Sequence, residues 1–512
     1  MKVYCAYIDV DNNKSEIFCG GEVIAIDGHK VCDVINLSIR SVCFVPSVKI
    51  VTMIYPGGEI LGEEYHKNNN TDYLSYQYGK CQFRSFGSVI GMQSTRVLKQ
   101  MYEDTPISCA MYQYLCDLGD PERIKYPLAY YAKQMFFDDI KDDLWNERKA
   151  LKKHYWDEQT YWDMMASNKG GVLSDYRAKY VENARMYDIR SAYASVMVND
   201  DKFPVGSITR ISATSSSYKI AKIRKYISDG VWFKIVFDGH SDDYMRWYDK
   251  KADKTGMEYY NVLMLQMIGE LDNFLAYLSK IDYRLYYSQR TGYLNRLVRD
   301  KIVRLYDEKE SLKHGSLERY LVKTQIEMIY GKGIQHYEFE DILDIQDHYR
   351  GRGDNYLTPE MSNHCLAKVE YDMYKAIYNT TSYYFDTDGI KVDNSKESEY
   401  YFANENKKIL DRNKKAGYNI DIGTWKFEGT AERMLIFTPK IYIFECDGKI
   451  EFRAAGVDKE YKEKYIEAIK GDKIMYLRKH GFTTAAKKYV YDCGKFIVLY
   501  DHGELKGDLQ IG

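Results

Sequence analysis

The 512 residues are 45% hydrophobic and 29% charged, and the formal net charge is −2. This composition excludes a disordered chain and predicts a globular protein with a sizeable core and several domains. The near-zero charge excludes a general attraction to nucleic acid, so such a partner would need a locally basic groove.

The cysteines and the lengths of the apolar segments indicate the cellular compartment of the protein. Ten cysteines are present and none forms a C-x-x-C pair, which favours free thiols in a reducing cytoplasm over a zinc site or disulfides. The segment MKVYCAYIDVDNN carries acidic residues where a signal peptide would be apolar, and no run of about 18 apolar residues predicts a membrane span. We therefore expect a cytoplasmic protein with no membrane partner.

The first part of the chain alternates between two patterns. Residues 1–120 place short β-rich runs, such as VYCAYIDV and SVKIVTMIY, between Gly, Asn and Asp turns, which predicts a sheet-rich N-terminal domain. Residues 120–165 carry charged and aromatic residues at helical spacing. A Lys-Gly-Gly break at 169–171 then predicts a linker.

From residue 180 onward strands and helices are mixed. RMYDI, with Asp188 near its end, predicts a short strand, and the following SAYASVMVND predicts a helix. VWFKIVF at 231–237 predicts a strand, and residues 361–378 predict a helix. SYYFDTDGIKV at 382–392 has the form of a hairpin with a D-T-D-G turn, and strands dominate residues 420–512.

Three carboxylates stand at predicted strand ends: Asp188, and the pair Asp386 and Asp388 at the tip of the hairpin. Strand ends from distant parts of a chain can converge in one sheet, and hard cations such as Mg²⁺ require oxygen ligands of this kind. Two such ions about 3.5–4 Å apart can activate a primer hydroxyl and stabilise a leaving pyrophosphate. The D-T-D-G sequence also suits a turn that has a purely structural role. The neighbouring segments must therefore distinguish a metal site from a structural turn.

A basic segment supplies that context. Residues 284–332, predicted as a long helical stretch with a break near His314, contain eleven Lys or Arg against six acidic residues. Arg319 and Lys323 lie one turn apart and Tyr330 two turns further on, so the three share a face. Such a face suits a triphosphate whose base and sugar stack near the ring. The alternative is a solvated charged helix without a ligand.

Four segments in chain order resemble the motifs of family B DNA polymerases, most closely the protein-primed branch of small tailed phages and linear plasmids. The segments are YDIRSAYASVM at 187–197, KTQIEMIYGK at 323–332, YFDTD at 384–388 and PKIYIF at 439–444. The third matches Y-x-D-T-D in full, and the fourth carries a K-x-Y sequence. The resemblance implies an α+β right-hand polymerase with an antiparallel palm sheet, helical fingers, a small β-rich thumb and a sheet-containing N-terminal domain.

The resemblance also implies the roles of single residues. Asp188 and Asp388 would hold two Mg²⁺ or Mn²⁺ ions, with Asp386 in support. The nucleotide-binding residues would be Tyr193, Ser191, Lys323, Arg319, Lys313, Tyr330 and Glu327. The DNA-binding residues would be Lys440, Tyr442, Arg453, Gly170 and Gly171. Within the pocket, Tyr193 would exclude a ribose 2′-hydroxyl.

Domain boundaries follow from the order of the motifs. The implied parts are a reduced exonuclease-like domain at 1–165, palm at 166–206, an insertion resembling the terminal-protein region at 207–283, fingers at 284–332, palm with a short second insertion at 333–445, and thumb with palm edge at 446–512. Asp9-Val10-Asp11 is the sole candidate for an exonuclease motif. We therefore expect no 3′–5′ proofreading.

Departures from the family pattern leave alternatives open. Ala192 and Ala194 stand where Leu and Pro are usual, which predicts looser sugar discrimination. Glu327 stands where Asn is usual and would oppose a triphosphate, so weaker dNTP binding is expected. The main expectation is a template-directed, protein-primed polymerase that acts as a monomer on primer-template DNA, dNTPs and a terminal protein. The alternatives are a catalytically impaired or non-templated relative and a metal-dependent glycosyltransferase.

Overall fold

The computed structural model describes residues 2–9, 14–28, 31–35, 37–45, 48–67, 70–86, 102, 105–118, 128–140, 142–144, 157–165, 179–238, 254–314, 316–334, 356–454, 459–483, 487–492 and 495–500. The chain forms two compact units, Met1–Asp139 with Asp307–Met328, and Ile140–Tyr306 with Ile329–Gly512. Each unit has its own sheets and buried core. The predicted linker glycines Gly170 and Gly171 lie outside the described residues.

The first unit is built on a seven-stranded sheet in the order β3-β2-β1-β4-β7-β6-β5. β1 pairs in parallel with β4, and β4 with β7, whereas the other described pairs are antiparallel. The sheet predicted for the N-terminal part is therefore confirmed. Its strands are β1 (Lys2–Asp9), β2 (Lys14–Cys19), β3 (Glu22–Asp27), β4 (Ser41–Val45), β5 (Glu59–Lys67), β6 (Asn70–Tyr78) and β7 (Cys81–Ser85).

Helices cover both faces of this sheet. They are α1 (Val48–Ile54) and α2 (Ile107–Leu118), and a third helix, α3 (Leu128–Phe137), follows them in the chain. Val48 and Val51 of α1 pack into the core on one face, and Tyr114 of α2 packs on the other. The strand predicted for SVKIVTMIY is wrong over α1. The fully buried Val48 and Val51 are one helical turn apart, so burial there follows the helical period.

The second unit contains a six-stranded antiparallel sheet in the order β15-β16-β8-β17-β18-β19. Its strands are β8 (Lys179–Ile189), β15 (Ser382–Asp386), β16 (Gly389–Asp393), β17 (Trp425–Thr438), β18 (Ile441–Cys446) and β19 (Lys449–Ala454). The predicted RMYDI strand and the predicted hairpin over 382–392 are both confirmed. β8 lies inside the sheet, between the hairpin strand β16 and the long strand β17.

A four-stranded sheet, in the order β10-β13-β11-β12, forms a second layer around the fully buried Trp232. Its strands are β10 (Ile208–Arg210), β11 (Phe233–Asp238), β12 (Lys254–Glu258) and β13 (Tyr283–Ser288). The short strands β9 (Phe203–Pro204) and β14 (Thr291–Gly292) pair with each other in a separate two-stranded sheet. The helices packed into the core of the four-stranded sheet are α4 (Glu158–Met165), α6 (Ser216–Asp229), α7 (Tyr259–Met267) and α8 (Leu271–Leu278). β11 confirms the strand predicted at 231–237.

The remaining elements complete the described chain. The helices are α5 (Ala192–Asn199), α9 (Arg296–Ser311), α10 (Leu317–Lys332), α11 (Pro359–Asn379), α12 (Lys396–Lys415), α13 (Lys459–Ala468) and α14 (Lys473–His480). The strands β20 (Phe482–Thr483), β21 (Lys487–Asp492) and β22 (Lys495–Tyr500) form a small sheet. The helix predicted over 361–378 is confirmed by α11.

The helical prediction for 284–332 is wrong at its start. Arg284 lies in β13, where aromatic and apolar residues such as Leu285 and Tyr286 are buried in the sheet core. Side-chain burial against a neighbouring sheet therefore outweighs the charge pattern that indicated a helix. The predicted break near His314 is confirmed, because α9 ends at Ser311 and α10 begins at Leu317.

Two expectations about thiols and membranes can be compared with the described residues. All nine cysteines among them are free, as predicted. Within the same residues, no helix is both long and apolar enough to cross a membrane.

A buried ion pair fixes α4 to the four-stranded sheet. The Asp163 side chain has no exposed surface, and it accepts hydrogen bonds from Arg284 Nε at 2.5 Å and from the Tyr286 hydroxyl at 2.6 Å. Burial alone would raise the pKa of Asp163, but these donors hold the pKa below its usual value. Asp163 therefore adds stability above the usual pKa of an aspartate, and that stability is lost as the pH falls below it.

We expect Asp163→Asn to lower the free energy of unfolding by about 3 kcal/mol, because it leaves the Arg284 charge without its carboxylate partner. Chemical denaturation at pH 7 measures the loss. Asp272→Asn is the matched control, since Asp272 pairs with Arg224 on the surface and its side chain is 82% exposed. Equal losses in the two variants would contradict the assignment of Asp163 as a buried anchor.

Candidate active site

The candidate site lies at the end of β8, where two neighbouring strands meet it. In the sheet register, Asp188 is opposite Gly389 of β16 on one side and Lys426 of β17 on the other. A Cβ atom at position 389 would lie 3.2 Å from Asp188 Oδ1, which is tighter than an ordinary contact. The glycine therefore lets the Asp188 carboxylate lie directly beside the hairpin.

The hairpin turn holds two more carboxylates. Its first central residue, Thr387, has a φ of 59°, a left-handed conformation that β-branched residues rarely adopt. The Asp388 N–H donates to the Asp386 carbonyl at 2.7 Å, and the Ile189 N–H donates to the Asp388 carbonyl at 2.9 Å. The Thr387 hydroxyl donates to Asp386 Oδ1 at 2.9 Å. These bonds fix the turn against the end of β8.

Burial and neighbouring charge act together on Asp188. Burial raises the pKa of the Asp188 carboxyl, and the carboxylates of Asp388 and Glu428 raise it further, to about 7. The ammonium groups of Lys391 and Lys426 oppose this rise. More negative charge is therefore gathered here than the lysines neutralise, which is an environment that favours a bound cation.

A cleft of about 640 Å³ opens over these carboxylates, and its lining includes Asp188, Asp386, Asp388, Glu428, Lys391, Lys440, Tyr442 and Arg453. Lys440 Nζ lies 3.6 Å from Asp386 Oδ1, and the Lys440 N–H donates to the Tyr384 hydroxyl at 2.8 Å. The Tyr442 ring packs on the Tyr384 ring with the centroids 5.3 Å apart. The three predicted metal ligands and three of the predicted DNA contacts thus line one cleft.

Two of these lining residues are absent from the sequence-based prediction. Lys391 follows Gly389 by two positions on β16, so its side chain lies on the same face of the sheet as the Asp188 carboxylate. Because side chains alternate between the two faces of a strand, Lys391 could have been identified from the hairpin sequence. Glu428 occupies a register shift of β17. A bulge of this kind has no sequence signal that would place its side chain beside Asp188.

The predicted nucleotide pocket begins one residue beyond β8. Ser191 is the N-cap of α5 and has a φ of 48°. Tyr193, in the first turn of α5, stacks on Tyr330 with the ring centroids 4.0 Å apart and the planes 18° from parallel. Burial raises the pKa of Tyr193, and Tyr330 and the charge of Asp388 raise it further. The stacked rings therefore lie within electrostatic reach of the carboxylates.

The position of Tyr330 depends on a close approach between α10 and α11. The Ser362 hydroxyl of α11 donates to the Tyr330 carbonyl at 2.5 Å. A Cβ atom at Gly333 would lie 2.8 Å from the Thr358 carbonyl oxygen and would clash with the Ser362 hydroxyl. Glycine at 333 therefore allows the contact that holds the end of α10.

The predicted triphosphate-binding residues Lys323 and Lys313 belong to the first unit. The Lys323 ammonium lies 3.4 Å from the Glu327 carboxylate one turn away, and both side chains are more than half exposed. Lys313 is also exposed. An exposed pair of this kind is worth about 0.3–0.5 kcal/mol, so it leaves the Lys323 charge available to another anion.

Arg319, in the same unit, has a structural role that its helical spacing does not indicate. Its Nη1 atom donates to the Leu312 carbonyl at 3.3 Å and to the Lys309 carbonyl, and its Nη2 atom lies 3.6 Å from the Glu310 carboxylate. Lys309 lies in the last turn of α9 and Leu312 follows it, so the guanidinium stabilises the helix end. A triphosphate contact for Arg319 stays a prediction.

The carboxylates suit a divalent cation that takes only a few of its ligands from the protein. Among the described residues, no group of three or more His, Cys, Asp or Glu side chains forms a ready-made metal cluster. Mg²⁺ does not need one, because it keeps several waters and is commonly held by one or two carboxylates together with substrate phosphates. The oxygen donors of Asp188 and Asp388, and the charge repulsion between them, fit this mode of binding.

Comparison with known proteins identifies a fold and no sequence relative. No protein-family model matches the chain, and no curated protein matches it. Among solved structures, it matches phi29 DNA polymerase complexed with single-stranded DNA at a TM-score of 0.60, and complexed with primer-template DNA at 0.58. Both matches have 13% sequence identity and cover 98% of this chain and 99% of the other. The chain therefore has a fold like that of phi29 DNA polymerase.

We expect Asp188→Asn to stabilise the metal-free protein by about 1–2 kcal/mol, because it removes a buried charge that Asp388 and Glu428 repel. Mg²⁺ should raise the unfolding temperature of the unchanged protein and have little effect on the variant. Thermal unfolding in EDTA and in Mg²⁺ measures both effects. A variant that is less stable in EDTA, or equally stabilised by Mg²⁺, would contradict the assignment of this carboxylate.

Proposed function

We propose that this protein is a template-directed DNA polymerase that adds dNTPs to a primer 3′-hydroxyl. The observation that carries the proposal is the convergence of Asp188, Asp386 and Asp388 on one cleft, beside the stacked Tyr193 and Tyr330. The match to a polymerase fold along 98% of the chain supports it and favours it over the glycosyltransferase alternative.

The carboxylates would hold two Mg²⁺ or Mn²⁺ ions, with Asp188 and Asp388 as the main ligands and Asp386 in support. Such ions activate a primer hydroxyl and stabilise the charge that develops on the transferred phosphate. The turn keeps these carboxylates in place before substrate arrives. Lys391 and Lys440 limit their mutual repulsion, since both cations line the same cleft.

The stacked tyrosines would form the nucleotide pocket, with Ser191 at its edge. In this proposal Tyr193 lies under the sugar and excludes a ribose 2′-hydroxyl, while Tyr330 packs on the nascent base pair. The small side chains Ala192 and Ala194 flank Tyr193 in the sequence and give its ring less lateral support. We therefore propose that ribonucleotides are excluded less strongly than they would be with larger side chains at positions 192 and 194.

Basic residues would contact phosphates at two places. Lys323 would bind the triphosphate, with Lys313 and Arg319 nearby in the sequence. Lys440, Tyr442 and Arg453 would contact the primer strand along the cleft wall. Such contacts to backbone phosphates are independent of base sequence and weaken with salt.

The sheets and helices can be assigned to the parts of a right-hand polymerase. The six-stranded sheet would be the palm, α9 and α10 the fingers, and the elements after residue 446 the thumb. The part of the four-stranded sheet that lies within 207–283, together with α6, α7 and α8, would be an insertion that receives a terminal protein. Priming by protein is therefore part of the proposal. The protein would act as a monomer.

The N-terminal unit would lack proofreading in this proposal. Asp9 is the last residue of β1, while Asp11, the second acidic residue of the candidate motif, lies outside the described residues. A primer with a mismatched 3′ end, incubated with Mg²⁺ and no dNTPs, should stay intact. Degradation that is lost on changing Asp9 and Asp11 would show instead that the unit is a working exonuclease.

Primer extension tests the main proposal. With Mg²⁺ and a templated DNA primer, we expect the unchanged protein to add the dNTP that the template dictates. Asp388→Asn should reduce the rate by about 1,000-fold or more, because a ligand for the ions is lost, while binding of primer-template is kept. Single-nucleotide addition and a DNA-binding titration measure the two quantities.

The matched control is Asp272→Asn, an exposed carboxylate of the second unit that should leave extension unchanged. Extension that persists in Asp388→Asn would exclude the proposed metal site. Addition that ignores the template would keep the site and replace the template-directed function with a non-templated one. Failure to extend a DNA primer unless a protein hydroxyl is supplied would restrict the enzyme to protein priming.

The Lys323–Glu327 pair favours a second candidate, an impaired polymerase with weak nucleotide binding. We expect Glu327→Asn to lower the KM for dNTP by about twofold, because the Lys323 ammonium is released from a competing carboxylate in an exposed pair. Steady-state extension across dNTP concentrations measures the change. Glu318→Gln on the same helix controls for a general change in charge, and an unchanged or higher KM in Glu327→Asn would contradict the argument.

A further inference from the structure

A buried ion chain joins three helices of the second unit. The His364 side chain on α11 has no exposed surface. Its Nε2 atom lies 3.0 Å from Asp200 Oδ2, and its Nδ1 atom lies 3.1 Å from Glu258 Oε2. Asp200 is the C-cap of α5, and Glu258 is the N-cap of α7. Since each ring nitrogen faces a carboxylate, both nitrogens carry a proton and the ring is a buried imidazolium.

Other polar groups enclose this ion chain. The Tyr260 hydroxyl donates to Asp200 Oδ1 at 3.0 Å, and the Tyr260 N–H donates to Glu258 Oε1 at 3.1 Å. The Phe203 ring covers the imidazolium, with the centroids 4.6 Å apart. Other titratable or charged groups near the chain or its partners, among the described residues, include Tyr259, Cys365, Lys368, Asp372, Arg412, Tyr371 and Asp201.

The ion chain stays charged across the ordinary pH range. Burial alone would lower the pKa of His364, but the carboxylates of Glu258 and Asp200 raise it to about 9. Burial would raise the pKa of Asp200, but His364 holds it at about 2. The His364 contribution to stability is complete below the unfolded pKa and is lost as the pH rises through about 9. The Asp200 contribution is lost as the pH falls through about 2, so the chain is a permanent link.

The same end of α5 has two further buried anchors. Asn199 Nδ2 donates to Asn413 Oδ1 of α12 at 2.6 Å, and Arg299 Nη1 of α9 donates to the Val198 carbonyl at 3.5 Å. Four helices thus hold the C-terminal end of α5. Because α5 has eight residues, that end is only about 12 Å from its first turn, which carries Tyr193.

Glu258 connects this anchor to the four-stranded sheet. It is the last residue of β12 and it begins α7 with a capping box, in which the Glu258 N–H donates to Asn261 Oδ1 at 3.1 Å. Asn261 Nδ2 also donates to Glu370 Oε2 of α11 at 2.8 Å. Any displacement of β12 or α7 therefore acts on His364, and through it on Asp200 and α5.

We propose that the Asp200–His364–Glu258 chain couples the four-stranded sheet to α5, and that His364 is a positioning residue for the Tyr193 pocket. The inference rests on the proposed function and adds regulation to it. A displacement of β12 or α7 then changes the choice between deoxyribonucleotides and ribonucleotides without any direct contact with the pocket. Packed helices transmit such a shift because they move as rigid bodies.

Hydrogen exchange tests the link without any need for catalysis. We expect Glu258→Gln, which keeps the shape of the side chain and removes its charge, to speed amide exchange in 192–199 by about fivefold or more. His364→Gln should act in the same direction. Arg224→Gln, which breaks an exposed ion pair on the same insertion, is the matched control and should leave exchange in 192–199 unchanged. Unchanged exchange in folded Glu258→Gln would overturn the proposal.

Nucleotide choice tests the positioning role. The ratio of kcat/KM for a dNTP to that for its rNTP should fall about fivefold in Glu258→Gln and stay constant in Arg224→Gln. A lower melting temperature with an unchanged ratio would reduce the ion chain to a structural anchor and overturn the proposal. If Glu258→Gln does not fold, Asp200→Asn is measured in the same way. If the unchanged protein extends no primer, the proposed function is wrong. The hydrogen-exchange result then still tests whether the ion chain couples the four-stranded sheet to α5.

Discussion

The crowding of half-buried carboxylates at the end of β8 is the constraint around which the second unit is arranged. Asp388 lies close enough to raise the pKa of the Asp188 carboxyl, and the fold must hold the two side chains there before any cation arrives. Antiparallel pairing places β16 against β8, and a glycine opposite Asp188 provides the space. Lys391 and Lys440 then supply partial compensation from the same cleft. The crowded carboxylates lower the stability of the folded protein at this place, as is common at functional sites.

Buried ions also determine how the four-stranded sheet is attached. Asp163 binds Arg284 between α4 and β13, and His364 binds Asp200 and Glu258 between α5, α7 and α11. Apolar packing alone tolerates small slips, because hydrophobic contacts have no preferred direction. Ion pairs with fixed hydrogen-bond geometry specify one position. The sheet is therefore oriented by charged residues on β12 and β13 and stabilised by the apolar core around Trp232.

Local patterns predict the parts of this fold whose causes are local. A strand that carries Asp188 near its end and a D-T-D-G hairpin are recognised from periodicity and turn chemistry, and the structure has both. The segment of α1 is rich in β-branched residues, and its helical form depends on burial of Val48 and Val51 against a sheet formed elsewhere. The cleft position of Glu428 depends on a register shift, for which a single sequence carries no signal.

The left-handed Thr387 has a consequence for engineering this protein. Glycine or asparagine would adopt its φ of 59° with less strain, so a search for stabilising substitutions would select this position. Glycine has no side chain that could replace the bond from the threonine hydroxyl to the Asp386 carboxylate. A more heat-resistant variant obtained in this way would have a looser carboxylate at its cleft. A screen of variants by melting temperature alone would therefore select stable proteins whose Asp386 carboxylate is held less firmly.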